Sequence, residues 1–138
     1  MMAVAYRWYS RDECLFDEVV MARYPALFTL GISVEELHPS LSVVLQSCNL
    51  NMIYDTAEYV MAREVPGGVP FPKLVTVEIL IDRTTATPEK VQIKLVVKNE
   101  ELPLKAINHC ATMFGQIKTA IETATQWQLI ESYTGEEP

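Results

Sequence analysis

Two runs of alternating apolar residues constrain this chain more than anything else in it. Val75, Val77, Ile79 and Ile81 occupy every second position of the first run, and Val91, Ile93, Leu95 and Val97 do the same in the second. Alternation at period two sets each group on one face of a pleated strand. Thr76, Glu78, Asp82, Gln92, Lys94 and Lys98 fall on the other face, interrupted by Leu80 and Val96. One apolar face and one mostly wet face are expected of an antiparallel sheet covered on one side. The segment between the runs contains Thr85-Ala86-Thr87-Pro88, which cannot continue a strand. A hairpin is therefore predicted over about 74–82 and 91–98. Pairing Ile81 with Val91 keeps every apolar side chain of both runs on one face. The same register sets Glu78 opposite Lys94, a favourable cross-strand charge pair.

The next signal is helical. Ile107, Cys110, Phe114, Ile117, Ile121 and Ala124 recur at alternating three- and four-residue spacing. With Pro103 just ahead, the spacing predicts a long C-terminal helix over about 105–131. Gly115 inside it costs about 1 kcal/mol relative to alanine unless it permits close approach to the sheet. A sheet followed by a long C-terminal helix resembles the START-like helix-grip folds in element order. That resemblance implies a curved sheet gripping the helix.

Elsewhere the signals are shorter. Tyr6, Trp8 and Tyr9 are large enough to dock on a core. Ser10 and Glu13 form a capping box ahead of Leu15, Phe16, Val19 and Val20, which predicts a first helix ending at Tyr24-Pro25. The apolar run from Pro25 to Ser33 reads as a strand or a buried connector. Ser33 and Glu36 repeat the capping pattern, but Pro39 follows closely, so a helix is predicted from Pro39 through Leu41, Val44, Leu45 and Cys48; Ser40, Ser42 and Ser47 with β-branched Val43 and Val44 leave a strand as the alternative. Met52, Ile53, Ala57, Val60 and Met61 fit a further helix; a strand over Glu58–Val65 competes with it. Pro66-Gly67-Gly68-Val69-Pro70-Phe71-Pro72 excludes regular structure. Together these signals predict one α+β domain over 1–131. Its antiparallel sheet packs against the C-terminal helix, with additional helices in the N-terminal half. Residues 132–138 read as an acidic, frayed tail.

Charge and motifs exclude several functions. The chain has 138 residues and a net charge of −7. Its basic residues are outnumbered and scattered, whereas a phosphate-backbone binder needs a basic stripe; no nucleic-acid binding is expected. No apolar run is long enough to span a bilayer. Three widely spaced cysteines, Cys14, Cys48 and Cys110, suit a cytoplasmic or equivalent reducing compartment. Neither phosphate-binding glycine motif occurs, nor a nucleophile elbow. His109 and Cys110 are adjacent on the predicted helix and so point about 100° apart, which does not make a chelate or a catalytic pair. No metal, cofactor or catalytic residue is expected.

Two surfaces remain as candidate interaction sites. Phe71 stands between Pro70 and Pro72, either as a stiff aromatic anchor for a partner or as a plug for the end of the core. His109, Thr112, Gln116, Thr119 and Thr123 form a second stripe on the helix, polar but without an obligate charge. Exposed helix faces usually carry more Lys and Glu, so this one suits a partner or a ligand. The expected function is a small non-enzymatic assembly or regulatory factor, working through a protein partner or self-association. The alternative expectation is a pocket holding an apolar small molecule between a curved sheet and the helix.

Overall fold

A computed structural model describes residues 22–100 and 108–135. In chain order the elements are β1 (Ala22–Gly31), α1 (Val34–Gln46), β2 (Leu50–Asp55), β3 (Tyr59–Glu64), β4 (Thr76–Asp82), β5 (Val91–Asn99), α2 (His109–Thr123) and β6 (Gln128–Thr134). The strands form one six-stranded sheet in the order β2-β3-β4-β5-β1-β6. Every neighbouring pair is antiparallel. This is the α+β arrangement expected. Among the described residues the N-terminal half holds one helix rather than several. The predicted first helix over residues 10–24 lies largely outside the described residues, and its last residues, Ala22–Tyr24, are strand.

The inward positions of the strands and one face of each helix form a single core. Phe28 and Leu30 of β1, Ile79 of β4 and Leu95 of β5 meet Leu37, Leu41 and Leu45 of α1 and Ile117 and Ile121 of α2. All of these side chains are at most 1% exposed. Cys110, Phe114, Ile117 and Ile121 of the predicted stripe are buried, with Met113 added to them; Ala124 is partly buried just past the helix, and Ile107 lies outside the described residues.

The hairpin forms with its register moved by two residues. Ile81 faces Ile93, and Glu78 faces Val96 rather than Lys94. An even shift keeps each side chain on its own face, so the apolar pattern alone cannot distinguish the two registers. Glu78 instead finds Lys98 diagonally, at 3.4 Å. The connection is closed by two side-chain turns. Asp82 accepts from the Thr84 and Thr85 hydroxyls, and Thr87 accepts from the backbone N–H groups of Glu89 and Lys90.

Both helices have different limits from those predicted. α1 starts at its capping residue, Ser33, whose hydroxyl accepts from Glu36 N at 3.3 Å. It runs straight through Pro39. A proline this near the N-terminus removes only one intrahelical bond, and here the ring is exposed. α2 begins at His109 because Asn108 is extended and caps it, its Oδ1 accepting from Ala111 N at 2.7 Å. It ends at Thr123, eight residues before the predicted 131. Trp127 folds back, its indole N–H donating to Ile121 O at 2.9 Å, and β6 follows. Ser132–Thr134, expected as frayed tail, belong to that strand. The helix is therefore not the last element, and the element order departs from the helix-grip pattern.

The competing strand over Glu58–Val65 is the correct reading and is β3, whereas Met52 and Ile53, expected in a helix, belong to the strand β2. β2 and β3 are strands joined by a turn in which Thr56 and Tyr59 bond each other. The Pro25 run is the β1 strand.

Candidate functional site

Phe71 begins a single 3-10 turn, Phe71–Lys73. The turn is closed by Lys73 N donating to Pro70 O at 2.9 Å and Leu74 N to Phe71 O at 3.1 Å. It is also tied to the end of β5. Glu100 N donates to Pro72 O at 3.1 Å, and Asn99 Nδ2 to Lys73 O at 2.9 Å. Leu74 and Val75, directly after it, are buried. Val75 belongs to the core and Phe71 does not. Its ring is 69% exposed, the largest value for any bulky apolar side chain described. Pro70 and Pro72 are exposed beside it.

The polar stripe of α2 is divided. Thr112, Gln116 and Thr119 line a shallow open groove of about 700 Å³ with Gly115, Ala120 and, from the end of α1, Ser47 and Cys48. No charged side chain lines it. Gly115 does not approach the sheet: a Cβ built there meets nothing within 4 Å. Thr112 and Thr123 donate their hydroxyls back to Asn108 O and Thr119 O, a bonding habit of helical threonine. Thr123 lies outside the groove. The Cys48 thiol is half-buried, and its pKa is raised by that burial against the lowering effect of the Ser47 hydroxyl. It is therefore a poor nucleophile.

His109 leaves the stripe altogether. Its Nε2 lies 2.8 and 2.9 Å from the two carboxylate oxygens of Glu64, a buried residue on the inward face of β3. Val75 N donates to the same carboxylate at 3.2 Å. Cys110 turns the other way, its Sγ 3.5 Å from Val97 O. Sequence reading missed Glu64. The available signal was the sequence Val60, Ala62, Glu64: once β3 is a strand, an acid on its inward face requires a partner.

Among the described residues, no three His, Cys, Asp or Glu side chains converge as metal ligands, and no helix is long and apolar enough to cross a membrane. Ile117 and Ile121 of α2 and Phe28, Leu30 and Leu95 of the sheet belong to one buried core.

No protein-family model and no curated protein matches this chain. Among solved structures, a conserved protein from Geobacillus kaustophilus is similar over 80% of this chain and 99% of its own, at 16% identity and a TM-score of 0.37. A likeness at that level carries no argument about function.

Proposed function

We propose that this chain is a non-enzymatic protein that acts through contact with a protein partner, as an assembly or regulatory factor in a reducing compartment. The observation that carries this reading is the geometry of Phe71. Leaving a phenylalanine in water forgoes about 2 kcal/mol of burial. Its turn is nonetheless held by four hydrogen bonds rather than left loose. An aromatic fixed in place loses little freedom when a partner covers it, and buried aromatics dominate interface energetics. The uncharged groove on α2 offers a second contact surface. A photo-crosslinking phenylalanine analogue at position 71, expressed in the native cell, tests the reading. A discrete crosslinked protein, whose recovery with the purified chain falls at least about tenfold on Phe71→Ala, is expected for an anchor of this size. Absence of any crosslinked species, or undiminished recovery with Phe71→Ala, sinks it.

A further inference from the structure

The sheet face turned away from both helices carries a depression of about 470 Å³. Strand register gives its floor directly. One row across the sheet runs Gln92, Thr29, Glu131; the next runs Leu80, Lys94, Leu27, Tyr133. The first row is polar. The second is apolar apart from the Lys94 ammonium, whose stem continues the apolar surface.

The first row carries an acid at each end, Asp82 on β4 and Glu131 on β6, and the one charge of the second is Lys94. Glu131 is exposed, and its cross-strand neighbour is Thr29, not a base. Among the described residues it forms no ion pair. Tyr133 stands two positions along the same strand, its side chain 44% exposed. Lys94 is two strands away, about 10 Å by strand spacing, and already holds an interaction of its own. At the far end, the Thr84 and Thr85 hydroxyls keep the Asp82 carboxyl below its usual pKa, so it stays charged. A carboxylate beside an open aromatic face favours an ammonium group. Leu27 and the half-exposed Leu80 extend from that corner as an apolar track.

We propose that this face is a binding site for a small elongated apolar molecule bearing an ammonium group, with the cation at Glu131 and Tyr133 and the apolar body over Leu27 and Leu80. The site is of the size that small ligands use. It is independent of the Phe71 turn, which lies at the opposite end of β4 and β5.

Amide NMR titration with octylammonium, octanoate and octanol, each below its micelle concentration, tests it. Octylammonium is expected to shift the Leu27, Leu80 and Tyr133 amides saturably and to bind more tightly than the other two. Glu131→Gln, an exposed change that leaves the fold intact, is expected to weaken octylammonium about fivefold and leave octanol unchanged. Leu80→Asp is expected to abolish binding of octanol. No saturable shift at these amides overturns the site. Octanoate binding as tightly as octylammonium, or indifference of octylammonium to Glu131→Gln, overturns the ammonium class. Phe71→Ala leaves every one of these readouts unchanged, so failure here and failure of the contact proposal are distinguishable.

Discussion

Glu64 shows how one residue ties together distant parts of the chain. Its strand places it among core positions, where an unpaired carboxylate costs several kcal/mol. The His109 ring and the Val75 N–H meet that demand. The ring in turn fixes the first turn of α2 against β3. Neither partner was legible together in the sequence, because they stand 45 residues apart and β3 itself was ambiguous. Removing His109 takes from the buried Glu64 carboxylate its one side-chain partner and leaves it the Val75 N–H, and removing Glu64 breaks the same contact from the other side. Glu64→Ala and His109→Ala are each expected to cost about 3 kcal/mol. The double variant is expected to cost clearly less than the sum, since each single change already removes the contact between them. Urea denaturation of the two single variants and the double variant measures the coupling, and strict additivity would show that the pair does not act as a unit.

At the scale of elements, the legible parts were those in which one period dominates. The alternation in β4 and β5 and the buried stripe of α2 needed no tertiary information. The missed features depend on contacts from afar. Trp127 donates to Ile121 O just past the end of α2, and in the observed hairpin register Glu78 meets Lys98 rather than Lys94. Glu58–Val65 admits both readings, and pairing of β3 with β4 resolves it as strand. Two predictions belong here. Gly115 is exposed with open space around its Cβ position, so Gly115→Ala is expected to stabilise the protein by about 0.5–1 kcal/mol, read as a higher melting temperature. The second concerns Glu122, which joins α2 to β6 by accepting from Lys118 and from Ser132. Lys118 chiefly, then Ser132, hold its carboxyl below the ordinary 4.5, against the opposing effect of burial. A lowered folded value means that the charged form favours the fold. The contribution is complete above pH 4.5 and is lost as pH falls through the lowered value. Wild type is therefore expected to exceed Glu122→Gln in stability at neutral pH, with the gap closing in acid. A gap independent of pH would contradict this.

At the scale of the molecule, the sheet is covered by both described helices on one face, and its edges are blunted. β2 and β6 are the outer strands, and each carries a register break, between Met52 and Tyr54 and between Leu129 and Glu131. Bulges of this kind disfavour edge-to-edge pairing. A net charge of −7 adds repulsion between copies. Recognition is thus expected from surfaces rather than edges. Of these, the Phe71 turn was visible in the sequence because Pro and Gly mark loops without tertiary help. The Thr112–Thr119 groove was half visible: the stripe was read, while Ser47 and Cys48 opposite it depend on how the helices pack. The depression over Leu27 and Leu80 was invisible, because its rows exist only once four strands are in register. If the Phe71 turn serves contact rather than folding, stability and binding must separate within four residues. Leu74 is buried at 6% exposure, whereas Phe71 touches mostly water. Leu74→Ala is expected to cost about 3 kcal/mol of stability through lost burial and the cavity left behind. Phe71→Ala is expected to change stability by less than about 0.5 kcal/mol, as surface substitutions do. Chemical denaturation of the two variants side by side decides it. Equal losses at both positions would make Phe71 a core residue and remove the basis for its role as an anchor.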